Sequence, residues 1–237
     1  MTLHKLEGIV LRRQEVRETS VMLSLFTRSL GKVHGLVKGV RGARAAVPWY
    51  LEPLTLQSMV LYERRRSSWA LISSCDLVDP FDAVRRDFVR TAYGSYALDL
   101  TDGLTGVGDP HPEIFDLLLS VLRALGGPND PSLILRWMEL HLLRQTGHLP
   151  ELSRLPLSPR VRALLQELLQ RSRPEELPRE ESPDLRREIR LKLQGLLRGV
   201  LERELKSRNF LQALGLDGEG SSSEEAGREA VAAGSNR

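Results

Sequence analysis

The sequence predicts an α+β chain in which strands come first and helices follow. Three observations predict it. Short apolar and alternating runs fill the first third of the 237 residues. Five Asp-Pro or Ser-Pro pairs punctuate residues 79–183, each ahead of apolar residues at helical spacing. From residue 215 the chain turns to Gly, Ser, Glu and Ala. The expected organisation is a β-barrel over residues 1–79, a helical domain over 80–214 and a disordered tail over 215–237.

Gly8 to Leu11 is the first strand-like run, Val21 to Thr27 the second and Lys32 to Val37 the third. Leu54, Leu56, Ser58, Val60 and Tyr62 alternate with Thr55, Gln57, Met59 and Leu61, a two-faced strand. Trp69 to Cys75 is the fifth. The connections are short except for residues 38–53. Five short strands fit a small closed barrel of the OB type, and an SH3-like barrel fits the pattern nearly as well.

The helices announce themselves at Asp79-Pro80, Asp109-Pro110, Asp130-Pro131, Ser158-Pro159 and Ser182-Pro183. A capping side chain before proline suits a helix start, because the first helical amide has no intrahelical partner to lose. Apolar stripes follow: Phe81, Val84, Phe88 and Val89; Leu117, Leu118, Val121, Leu122 and Leu125; Val161, Leu164, Leu165, Leu168 and Leu169. Leu133, Leu135, Trp137, Met138, Leu140, Leu142 and Leu143 are dense enough for a mostly buried helix. The last helix is expected from Asp184 to Leu214, giving a five-helix body.

The net charge is only +3, with 41% hydrophobic and 27% charged residues, as in a soluble globular protein. The charge is unevenly spread. Residues 1–79 hold 12 Lys and Arg against 7 Asp and Glu, whereas residues 80–216 hold 20 against 19 and residues 217–237 hold 2 against 5. A basic N-terminal unit on a neutral body points to nucleic acid, or to an acidic membrane surface. The excess of Arg over Lys reflects a GC-rich genome or a thermophile. Cys75 is the sole cysteine, so a disulfide scaffold is excluded. No continuous apolar signal region or span of roughly 18 apolar residues occurs, so a cytoplasmic, nucleoid-associated protein is expected, with no membrane partner.

Between Thr19 and Leu51 the chain carries Arg28, Lys32, Lys38, Arg41 and Arg44 and no Asp or Glu. Gly39 and Gly42 loosen the same segment, which suits close approach to a polyanion backbone. Arg12, Arg13 and Arg17 fall near the loop between strands one and two, and Arg64, Arg65 and Arg66 between strands four and five. In an OB barrel those loops border the oligonucleotide groove and strands two and three form its floor. The competing reading is that exposed loops are simply charged. Stacking contributes about 1–3 kcal/mol per base, so aromatic faces matter too. Trp49 and Tyr50, after Pro48, are the exposed candidates, while Tyr62 and Trp69 suit core or rim. Lys206 and Arg208 add cations at the end of the last helix, where complementarity to the helix dipole is the alternative.

Chemistry finds little to hold on to. Gly39-Val40-Arg41-Gly42 matches the GxxG loop of KH domains but lies between strands rather than helices. There is no P-loop and no Gly-x-Ser-x-Gly elbow. Cys75 with His4, His34, His111, His141 and His148 offers no zinc-ligand spacing. Neither an enzyme nor a cofactor is expected.

Several blocks together resemble the RecO family of bacterial DNA repair proteins. Glu18-Thr19-Ser20-x-Met22-Leu23-x-Leu25-Phe26-Thr27 is similar to that family's first hairpin. Gly31-Lys32 with Val37-Lys38-Gly39-Val40-Arg41 resembles its basic loop, and Leu51-Glu52-Pro53-Leu54-Thr55 its approach to the fourth strand. Leu135-Arg136-x-x-Glu139-Leu140 is similar to a body helix and Leu205-Lys206-Ser207-Arg208 to the closing helix. The resemblance implies an N-terminal OB fold, a helical domain and a recombination mediator. Such a protein binds single- and double-stranded DNA, anneals complementary strands, and works with RecR to load RecA onto strands coated by single-stranded DNA-binding protein. One departure stands out. Many members carry a four-cysteine zinc module after a Gly-aromatic-x-Pro segment. Here Gly147-His148-Leu149-Pro150 keeps the lead-in, Leu155 stands where the first cysteine falls, and a helix over Pro159–Arg171 is expected instead.

Two rival functions stay open: an adaptor whose basic face docks acidic partner tails, and an RNA-binding OB protein. Arg136, flanked by Leu135, Trp137, Met138 and Leu140, is the expected contact for the acidic C-terminal tail of single-stranded DNA-binding protein. The alternative is a surface bridge from Arg136 to Glu139 or Glu113, worth about 0–1 kcal/mol.

Overall fold

A computed structural model describes residues 2–17, 19–39, 51–63, 68–178, 182–201 and 204–216, with the side chains of Arg17 and Pro183 left aside. Among these residues five strands precede seven α-helices. The strands are β1 (Thr2–Arg17), β2 (Ser20–Thr27), β3 (Gly31–Lys38), β4 (Leu56–Glu63) and β5 (Ala70–Asp79). They close into a barrel in the order β1-β2-β3-β5-β4. Every pairing is antiparallel except the short parallel contact of β3 with β5, from Gly35↔Ala70 to Val37↔Ile72. This is the OB-like arrangement.

Strand β1 is far longer than its apolar run. Thr2 to Ile9 pair with β4 while Gly8 to Arg17 pair with β2, so one bent strand serves two neighbours. A register shift between Val10 and Arg12 marks a bulge near the bend. Val10, Val21, Leu23, Leu25, Val37, Met59, Leu61, Ile72 and Cys75 fill the barrel.

The helices are α1 (Asp82–Arg85), α2 (Phe88–Leu104), α3 (Pro112–Leu125), α4 (Pro131–Gln145), α5 (Pro159–Gln170), α6 (Pro183–Val200) and α7 (Lys206–Ala213). Asp130, Ser158 and Ser182 cap α4, α5 and α6 as their prolines predict, accepting from Ser132, Val161 and Leu185 amides. Two starts differ. Asp79 instead holds the amide of Phe81 at 2.9 Å, Phe81 is left-handed, and the first helix divides in two, with Asp87 capping α2. The Asp109 site shifts to Pro112, because Pro110 precedes a second proline two residues on. The expected last helix is also two. Leu201 turns extended, and Leu201 and Leu205 both cross α2 at Gly103, where a Cβ would lie 2.8 Å from Leu201. That break is tertiary packing, with no Gly or Pro between Val200 and Lys206 to signal it.

The barrel interior and the helical body are two separate cores, and the outer face of the barrel joins the second. Ile9, Leu11, Phe26, Leu54 and Leu56 turn outward from the barrel into the helical cluster, and Phe26 meets Phe115 at 6.4 Å between ring centroids. Leu54 is left-handed, which seats its side chain over Gly94 of α2. The β2–β3 turn is likewise bound to the α2–α3 loop: Lys32 bridges Val107, and the Gly108 amide donates to the Lys32 carbonyl at 2.9 Å.

Candidate nucleic-acid interface

Alternation sorts the groove floor. Val21, Leu23 and Leu25 point into the barrel, opposite Val37, Gly35 and Val33, so Ser20, Met22, Ser24 and Phe26 face out. Their outward partners on β3 are Lys38, Leu36, His34 and Lys32. Arg12 and Gln14 of β1 continue this face beside Ser24 and Met22. The helical body covers its Phe26–Lys32 end. At the Ser20–Lys38 end Ser20 is buried, while Lys38 is exposed with no ion pair among the described residues.

The cations read as one basic face have different fates. Lys32 is only 8% exposed. Its ammonium donates to the Asp102 carbonyl at 2.7 Å and lies 3.1 Å from the Asp102 carboxylate. It is therefore a strut between barrel and helix, and the expectation that it faces a polyanion is corrected. Arg12 is shared between Asp99 at 2.5 Å and Asp102 at 2.9 Å, one turn apart on α2. Arg13 pairs with Glu52 at 2.9 Å and Arg28 with Asp116 at 2.8 Å. The window without acids is thus acid-free only along the chain. In space, carboxylates from α2, α3 and the stretch before β4 meet its cations and those of β1.

Arg41, Arg44, Trp49, Tyr50, Arg64, Arg65 and Arg66 lie outside the described residues, as does the side chain of Arg17. Lys206 and Arg208 open α7 rather than close a helix, so the helix dipole no longer accounts for them. Asp99 offsets their charge there, accepting from the Ser207 hydroxyl at 2.9 Å. Arg208 is half-buried and donates to Gln194 at 3.0 Å, whereas Lys206 is exposed.

Arg136 requires correction too. It is 5% exposed, and its guanidinium lies 3.0 Å from Glu139, which is fully buried and accepts from the Tyr96 hydroxyl at 2.6 Å. Burial first, and then the Glu139 charge, push the Tyr96 phenol upward. A partner does not meet this arginine at the surface. An exposed apolar pair of the body lies elsewhere: Phe88 is 57% exposed and Phe210 43%, packed edge-to-face with centroids 5.8 Å apart. Lys206 stands one turn before Phe210 on α7.

A zinc ion does not fit the donors present. Cys75 is buried in the barrel, where desolvation and then Asp76 push its thiol up to about 12. Among the described residues no three His, Cys, Asp or Glu side chains converge on a metal position. Leu155 follows a 3-10 turn at Leu152–Arg154, and α5 begins at Pro159. No helix among the described residues is long and apolar enough to cross a membrane.

Sequence reasoning missed the carboxylate pair Asp99 and Asp102. Their spacing places them on one helix face, but nothing local says that Arg12 and Lys32 arrive there. It also left Trp69 between core and rim. The ring is half-buried in the wall of a cleft beside β3.

Residues 1–81 match the family model described as Recombination protein O N terminal, and residues 85–156 match Recombination protein O C terminal. DNA repair protein RecO of Syntrophus aciditrophicus is 30% identical over 164 residues, covering 67% of this chain and 63% of that protein. The Anaeromyxobacter dehalogenans protein of the same name is 37% identical over 148 residues, 62% of this chain and 58% of its own. That of Pelotomaculum thermopropionicum is 32% identical over 154 residues, 65% and 59% respectively. The chain thus spans about three fifths of the length of these curated relatives. The C-terminal family match stops at residue 156, inside the segment that departs from the cysteine-bearing pattern.

Proposed function

The chain belongs to the RecO family, and on that premise we propose that it is a DNA-binding recombination mediator acting without a catalytic step. In this reading it binds single- and double-stranded DNA, anneals complementary strands, and with RecR helps RecA onto strands coated by single-stranded DNA-binding protein. The observation that carries the reading is the outward face of β2 and β3, which ends in exposed Lys38 next to Gly39. Cations there neutralise phosphates and release counterions, so affinity falls as salt rises. Two strands held on one positive surface repel each other less, which favours pairing without ATP.

The test is anisotropy of a labelled oligonucleotide across a salt series. Lys38→Ala is expected to weaken binding on all sequences alike, and to lower the log-affinity against log-salt slope by about 0.7–0.9 for one lost phosphate contact. Adding Arg41→Ala should lower it further. An unchanged slope in both variants places the groove elsewhere. Annealing of tailed oligonucleotides should proceed equally with and without ATP.

A second reading has its own observation. The aromatic pair Phe88 and Phe210 beside Lys206 combines an apolar seat with a cation. That suits an acidic peptide ending in an apolar residue, such as the tail of single-stranded DNA-binding protein. Phe210→Ala and Lys206→Ala should then weaken tail-peptide binding while oligonucleotide affinity changes little with Phe210→Ala.

A further inference from the structure

β3 leaves β5 after only three paired positions, and the gap opens into a cleft of about 270 Å³. Its lining includes Trp69 and His34, Val107 and Pro110 of the α2–α3 loop, and Leu30. The loop is held in place rather than merely nearby, because Val107 bridges Lys32 and Gly108 donates to the Lys32 carbonyl. His34 is also an outward residue of β3, two places before Leu36 and four before Lys38, so the cleft continues the groove floor.

We propose that this cleft receives one unstacked nucleobase of a single DNA strand lying on the β2–β3 face. The proposal rests on the DNA-binding reading and deepens it. Size supports a base: the volume falls just below the roughly 300–1,000 Å³ of sites for larger ligands. Chemistry supports a base over a phosphate. The lysine in the lining, Lys32, is already committed to Asp102, and the lining adds the carboxylate of Glu63, 3.3 Å from His4. An anion finds no uncommitted lysine in that lining, whereas a flat neutral ring gains contact with the indole of Trp69 and with Val107 and Pro110. A base inside a duplex is paired and stacked and cannot enter, so the cleft discriminates single strands from double strands.

The experiment measures affinity for an oligo(dT) and for a hairpin duplex with wild type, Trp69→Leu and Val107→Trp. The first substitution removes the stacking face. The second fills the cleft from a position exposed to solvent. Both variants are expected to lose roughly 5- to 150-fold in single-strand affinity. Both should hold duplex affinity within about twofold, a shift too small to reflect a lost stacked base. Thermal melting of each variant confirms folding, and Val107→Trp stands alone if Trp69→Leu unfolds. Single-strand affinity unchanged in a folded variant overturns the base site while leaving the DNA reading intact. Equal losses on both substrates overturn it as well, since the cleft then does not discriminate. Wild type binding neither substrate overturns the DNA reading itself.

Discussion

Arg136 and Glu139 face each other one turn apart in the middle of α4, in surroundings where a lone charge is not tolerated. Each is tolerable because of the other, and Tyr96 from α2 supplies a further hydrogen bond to the carboxylate. Removing one member strands the other. Arg136→Ala is therefore expected to destabilise the protein by about 3–5 kcal/mol. Urea denaturation read by circular dichroism measures this directly. Arg136→Met combined with Glu139→Leu should cost much less than the two single changes added together, because no charge is left behind. An Arg136→Ala loss below about 1 kcal/mol would return this arginine to the surface, where pairs are worth that little. The sequence contained the pair at i, i+3, but spacing alone does not say which face of an apolar helix looks inward.

Between elements, the joint of α4 with α5 shows how helix ends are completed without a glycine. The last turn of α5 leaves carbonyls with no intrahelical partner. Three side chains spaced along α4 reach them: Trp137 Nε1 to Arg171 O at 3.1 Å, His141 Nε2 to Leu168 O at 3.1 Å, and Arg144 Nη1 to Leu169 O at 3.2 Å. Arg144 also donates to His141 Nδ1 at 2.9 Å, which fixes the neutral imidazole with its proton on Nε2. Burial, and then the Arg144 charge, hold His141 below its ordinary value of 6.5, against the raising effect of the Leu168 carbonyl. The unfolded chain then binds the proton more readily than the folded one, so stability rises with pH through this window. The contribution is complete above about pH 6.5 and is lost as pH falls toward the lowered folded value. Urea midpoints should drop for wild type on crossing that range downward, and drop less for His141→Gln. Parallel drops would mean that another group titrates. The starts of α4, α5 and α6 were legible because cap and proline are adjacent in sequence. The break before α7 was not, because its cause is Gly103 about a hundred residues upstream.

At the scale of the whole molecule, the strands-then-helices order was readable, and so was barrel closure from five short runs. The joining of the two parts was not. Lys32, Arg12, Arg28 and Phe26 look like members of a free surface until α2 and α3 are folded against them. That joint makes a strong prediction at Gly31. It sits in the β2–β3 turn at φ 64, a region where any side chain is strained, and a Cβ there would lie 2.0 Å from the Asp109 carbonyl oxygen. Backbone cannot yield as a side-chain tip can. Left-handed geometry alone costs a non-glycine residue about 1–2 kcal/mol, and the clash adds to it. Gly31→Ala is therefore expected to destabilise by at least about 2 kcal/mol, by forcing the turn and the α2–α3 loop apart. Because the outer face of the barrel packs into the helical core, the damage should not stay in the barrel. In a background carrying Trp49→Phe and Trp69→Phe, Trp137 is the remaining tryptophan, so its fluorescence reports the helical core while far-ultraviolet circular dichroism reports the whole chain. Both transitions should move together to lower urea in Gly31→Ala, as one cooperative unit requires. A barrel signal that shifts while Trp137 keeps its midpoint would mean that the two parts unfold separately, and that the packing of the barrel's outer face on the helices contributes little to holding them together.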